Sequence, residues 1–134
     1  MKFEFELHRN TRISSVNMVL NSNDRLDPRA KAKVTRKLRD LAKYVTKATI
    51  GYGFEPFSPE KPCHVLVKIF SPAKTRLDPP NLYPTVKALI DGMTDAGLWL
   101  DDNHTVIKSM TFEYAGLSNL KNYYRIRIEV IDIG

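Results

Sequence analysis

The chain has 134 residues, a length suited to one domain, and its 43% apolar content supports a core and excludes a disordered chain. No apolar run approaches the roughly 20 residues of a membrane span, and the single Cys63 excludes an internal disulfide. Twenty-one Lys and Arg against fifteen Asp and Glu give a net charge of +6, which suits a polyanionic partner such as nucleic acid.

The N-terminus, MKFEFELHRN, alternates apolar and polar residues and lacks the apolar core of a signal peptide. With the lone cysteine, this points to a cytoplasmic protein without a membrane partner. Residues 2–8 have period two and predict a strand. Residues 9–25 are rich in Asn and Ser and predict a long loop, with Val19 and Leu20 pinning it to the core.

Residues 27–49 predict the clearest helix. Asp27 is its cap, and Pro28 fits the first helical position, where a missing N–H costs nothing. Val34, Leu38, Leu41 and Val45 form one apolar stripe. Gly51 and Gly53 lie just beyond its end. Residues 51–62, with three prolines and two glycines, predict a loop, and the β-branched run 63–71 predicts a central strand. A second helix is expected from a cap at Asn81 to about Ala96, with Pro84 in its first turn and Gly97 as its stop. Leu82, Val86, Leu89, Met93 and Ala96 are its buried stripe. Residues 105–115 and 123–133 read as two strands joined in a hairpin by GLSNLKN.

The predicted order is β-α-β-α-β-β. That implies one α+β domain over residues 1–134, a small mixed sheet with two helices packed on it. No repeat or low-complexity segment interrupts it. Cys63 and His64 are neighbours on a strand and point to opposite faces, which argues against a zinc site. Trp99, Tyr123 and Tyr124 read as packing residues.

Two charge features carry the functional reading. The first is basic: Arg25, Arg29, Lys31, Lys33, Arg36, Lys37, Arg39, Lys43 and Lys47 are opposed only by Asp27 and Asp40 within residues 25–47. With the apolar stripe buried, these cations cover most of the remaining helix surface, where a phosphate backbone would find several contacts. Arg9 and Arg12 add charge among hydrogen-bonding residues. The alternative is a solvated helix face.

The second feature is acidic. Five aspartates, Asp78, Asp91, Asp95, Asp101 and Asp102, fall within residues 76–102. Asp78 follows a strand in a loop stiffened by Pro79 and Pro80. Asp101 and Asp102 follow a helix. Such loop positions are where metal ligands and catalytic groups are commonly held. Mg²⁺ takes hard oxygen ligands and often only one or two carboxylates besides water and phosphate. Lys87 and Asp91 are neighbours at i, i+4, which suits either charge stabilisation at a phosphate or an ordinary surface ion pair. Asp78 and Asp102 lie beyond opposite ends of the helix. For them to share an ion, the chain after Gly97 must double back, or a second subunit must contribute.

The pattern RLD…N…VKALIDGMTDAGLWLDD resembles the RusA family, homodimeric Mg²⁺-dependent nucleases that resolve Holliday junctions. The resemblance is specific around residues 78–102. Asp78 matches the family's first aspartate, Asn81 its asparagine, and Lys87 and Asp91 its helical lysine and aspartate. Ala96-Gly97 matches its turn, and Asp102 its last carboxylate. It implies a RusA-like fold and an endodeoxyribonuclease cleaving branched DNA in recombination and repair. Asp78, Asp102, Lys87 and Asp91 would be catalytic, and Mg²⁺ or Mn²⁺ would be held by Asp78 and Asp102 with Asp101. DNA would lie along Arg9, Arg12, Arg25, Arg29, Lys33, Arg36, Lys37, Lys74 and Arg76, with a homodimer facing a near two-fold junction. Two departures stand out. Pro80 occupies the place of the family's second metal-binding aspartate, and the run from Asn81 to Lys87 is longer by about three residues, close to one helical turn. The departures motivate a second reading, a catalytically inactive DNA-binding protein of the same fold.

Overall fold

A computed structural model describes all residues, Met1–Gly134. In chain order the elements are β1 (Lys2–His8), α1 (Pro28–Ile50), β2 (Cys63–Ser71), α2 (Tyr83–Asp95), β3 (Ile107–Leu117) and β4 (Tyr123–Asp132). Short 3₁₀ turns at Ser14–Val16 and Pro79–Leu82 interrupt the loops. The architecture is α+β. Four strands form one mixed sheet in the order β1-β4-β2-β3, and the two helices pack against each other. No helix is long and apolar enough to cross a membrane.

Alternation decides which face of the sheet meets the helices. Phe3, Phe5 and Leu7 of β1, Cys63, Val65, Val67 and Ile69 of β2, and Ile126, Ile128 and Val130 of β4 all point into one core. The intervening residues lie on the opposite face, which is more exposed and polar, with Lys68 paired to Glu129 and Arg127 to Glu4. Cys63 is fully buried while its neighbour His64 lies on the outer face. Trp99 is in the core, its Nε1 donating to Thr94 Oγ1 at 2.6 Å.

α1 starts as its sequence predicts. Asp27 accepts a hydrogen bond from the Arg29 N–H, and Pro28 sits in the first turn. It ends at Gly51, whose φ of +65° suits a residue without Cβ. The buried line is slightly rotated from the expected stripe. Val34, Leu38, Ala42 and Thr46 are fully buried, while Leu41 and Val45 are partly buried. The reason is α2, which approaches closely. A Cβ placed on Gly92 would lie 2.2 Å from the Arg39 carbonyl oxygen and 2.8 Å from Ala42 Cβ. Small residues at this crossing let the two helix backbones come together.

Two expectations are corrected. Asn81 does not cap α2. The segment Pro79–Leu82 first makes a 3₁₀ turn, Leu82 is the N-cap, and no side chain caps it. The Asn81 carbonyl instead accepts from the Ser22 N–H at 2.8 Å and the Ser22 hydroxyl at 3.1 Å. One turn on, Thr85 Oγ1 accepts from the Leu20 N–H and donates to the Leu20 carbonyl. These bonds, with buried Val19 and Leu20, fasten the long 9–25 loop to the start of α2.

The predicted hairpin is also absent. β3 runs parallel to β2 on one side, and β4 runs antiparallel to β2 on the other. The α2 crossover fixes the direction of β3, so β3 ends beside the end of β2. The 118–122 connection then passes over that end, with the Ser118 N–H bonded to the Ser71 carbonyl at 2.7 Å. Asn119 and Asn122 supply the left-handed backbone it needs, with φ of 61° and 64°.

Candidate functional site

Two aspartates of the acidic stretch, Asp91 and Asp102, meet at Lys87. α2 ends at Asp95, and Gly97, with φ of +87°, reverses the chain. The Leu98 N–H reaches back to the Met93 carbonyl. Leu98 and Trp99 are buried, and backbone bonds from Phe57 N–H to Leu98 and from Leu100 N–H to Phe57 hold this return segment to the loop before β2. The next residues therefore run back beside α2. Asp102 meets Lys87, about 12 Å along the helix axis before its last residue at the usual rise.

The geometry is tight. Lys87 Nζ donates to Asp102 Oδ2 at 2.7 Å and to Asp91 Oδ1 at 2.8 Å. All three side chains are partly shielded from solvent, Asp102 most at 22% exposure. The Lys87 pKa is raised well above its ordinary value, first by the hydrogen bond to Asp102 and then by that to Asp91. Burial pushes the Asp102 carboxyl up, but the Lys87 hydrogen bond and charge outweigh it, so its pKa lies below the ordinary 3.8. Lys87 is thus held as a cation at neutral pH. One ammonium facing two carboxylates leaves the cluster net negative.

The other three aspartates have different fates. Asp95 forms a two-pronged ion pair with Arg39, tying α2 to α1. Both oxygens of Asp101 serve its own loop, accepting from the Asp102 N–H and from Asn103 Nδ2. Asp78 is exposed, precedes the 3₁₀ turn and has no side-chain hydrogen bond. No three His, Cys, Asp or Glu side chains are grouped to hold a metal ion. Asp78, Asp101 and Asp102 therefore do not form a ready-made ligand set.

Donor chemistry still permits a hard divalent cation. Asp102 Oδ1, Asp91 Oδ2 and both oxygens of Asp78 carry no protein hydrogen bond. One or two such carboxylates with water and a phosphate oxygen make an ordinary Mg²⁺ shell. Asp78 and Asp102 fit that description better than Asp101, whose oxygens shape the loop.

The predicted DNA-binding cations divide into two sets. Arg9 is committed to the fold: its guanidinium clamps Asp24 at 2.7 and 2.9 Å and donates to the Val19 carbonyl. Lys37 donates to the Ser15 carbonyl. Arg12, Arg25, Arg29, Lys33, Arg36, Lys74 and Arg76 are exposed and make no side-chain ion pair.

Sequence reasoning missed the direct Lys87–Asp102 contact, although Gly97 followed by a short return segment was a signal for it. It also missed the Arg9–Asp24 clamp, for which no local pattern exists. No family model matches the chain, and no curated protein matches it.

Proposed function

We propose that this chain is a Mg²⁺- or Mn²⁺-dependent endodeoxyribonuclease of the RusA type that cleaves branched DNA such as four-way junctions, acting as a homodimer. The observation that carries the reading is the convergence of Lys87, Asp91 and Asp102, the residues that match the family pattern, on one partly shielded point. The exposed cations of α1 supply a surface for phosphates.

The geometry supports the roles that the resemblance implies. Lys87, charged at any physiological pH, offsets negative charge that develops on a phosphate oxygen. Asp91 holds the Lys87 ammonium in place from one turn along the helix. Asp102 and Asp78 present free carboxylate oxygens as candidate ligands. A bound divalent cation would supply Lewis-acid polarisation and an activated water. A symmetric dimer would place two such centres on opposed strands of the junction.

The second reading, DNA binding without cleavage, has its own support. The Lys87 ammonium lies between Asp91 and Asp102 and itself neutralises part of their charge. Pro80 stands where the family pattern has an aspartate. Incubation with a labelled four-way junction and Mg²⁺ or Mn²⁺ separates the two. Symmetric nicking supports the nuclease. Tight junction binding with no cleavage at any metal concentration supports the second reading.

A further inference from the structure

Two tyrosines at the C-terminal end of α1 have no packing role. Tyr44 is 74% exposed, and Tyr52, just past the helix, is fully exposed. Neither ring stacks on another aromatic or under a cation of this chain. Their positions are not random with respect to charge. Arg29, Lys33, Arg36 and Lys47 follow one another by four, three and eleven residues, each close to a whole number of helical turns, and lie opposite the buried line Val34–Leu38–Ala42. Tyr44 falls on this same outer ridge. From Arg29 to Lys47 the ridge is about 27 Å long, and Asp40 is its one acid. Beyond it, Lys47, Ile50, Gly51, Tyr52 and Ala96 line an open depression of about 410 Å³.

We propose that this ridge binds single-stranded DNA, with its cations along the phosphates and Tyr44 and Tyr52 each stacking on an unpaired base. A solvated basic helix has no need of two large exposed rings, whose apolar faces are left uncovered. A duplex hides its base faces and has no use for them. An unpaired strand offers both groups the ridge lacks: phosphates for the cations and flat apolar faces for the rings. The partner is identified by this complementarity and is independent of cleavage at Lys87.

The test is fluorescence anisotropy of the full chain with labelled oligo(dT) of twelve nucleotides, an abasic oligonucleotide of the same length, and oligo(U). Tighter binding of oligo(dT) than of the abasic strand is expected. Tyr44→Ala and Tyr52→Ala should each weaken oligo(dT) binding by about tenfold, within the range for loss of one base–aromatic stack. Tyr44→Phe and Tyr52→Phe should retain it, which separates stacking from the hydroxyl. Equal binding of the abasic strand, or alanine variants that bind oligo(dT) as tightly as wild type, would overturn the proposal. Tighter binding of oligo(U) than of oligo(dT) would overturn the assignment to DNA. Since no junction or divalent ion is present, none of these results depends on the nuclease reading.

Discussion

Lys87 and the cations of the α1 ridge carry the same charge in opposite settings. Lys87 is held by two carboxylates at 2.7 and 2.8 Å and is partly shielded. Arg29, Lys33 and Arg36 extend into solvent without an acidic partner. The pinned cation has a fixed position, which suits stabilising charge at one atom. The free ones keep their rotamers and hydration, which suits diffuse attraction to a backbone. On the proposed function, the two settings would separate a place for chemistry from a place for affinity, and substitutions should affect one without the other.

The largest effect is expected at the pinned cation. Lys87→Met should slow junction nicking by about 10²- to 10³-fold, the usual cost of removing one charge-stabilising donor, with junction affinity within a few-fold of wild type in a gel-shift assay. A parallel loss of affinity would break the separation. Next comes the ridge. Neutralising Arg29, Lys33 and Arg36 together, each to Gln, should weaken binding to all DNA alike and lower the slope of log K against log salt by about one per residue removed. An unchanged slope would remove the ridge from the binding surface.

Arg9 tests the comparison from a third side, because the sequence offers it to DNA while its guanidinium closes on Asp24. Arg9→Met should cost about 1–3 kcal/mol in urea unfolding, as for loss of charged hydrogen bonds, and leave the salt dependence of DNA binding as it was. The reverse pattern would return Arg9 to the binding surface.

The smallest effect concerns acid. The carboxyls of Asp24 and Asp102 both have folded pKa values below the ordinary 3.8, because bonds to Arg9 and Lys87 outweigh burial. Their contribution to stability is therefore complete above that value and is lost as pH falls through the folded values. The stability gap between wild type and Asp24→Asn should be flat from pH 7 to about 5 and narrow below about 4. A gap that widens with acid would contradict the assigned direction.

The difference between what the sequence reveals and what it hides follows the range of the interactions. β1 and β2 are read from alternation and β-branching, and α1 from Asp27, Pro28 and Gly51, all local signals. The start of α2 is misread because Asn81 looks like a cap, while its carbonyl is engaged by Ser22, a residue fifty-nine positions away. The false hairpin has the same origin. GLSNLKN has turn chemistry, but the partner of β3 is set by the α2 crossover, which no local pattern encodes. At the candidate site, the Lys87–Asp91 pair is legible as an i, i+4 contact. The approach of Asp102 depends on the return after Gly97, anchored by buried Leu98 and Trp99. The fates of Asp95 and Asp101, one on Arg39 and one in its own loop, required the fold.

The most direct measurement is junction cleavage by Asp102→Asn beside wild type, with binding recorded on the same samples. This substitution keeps the size of the side chain and removes its charge. Wild type is expected to nick four-way junctions with Mg²⁺ or Mn²⁺, while the variant binds them and does not nick. Cleavage by the variant at the wild-type rate, or intact junctions with wild type at every metal concentration, would contradict this expectation.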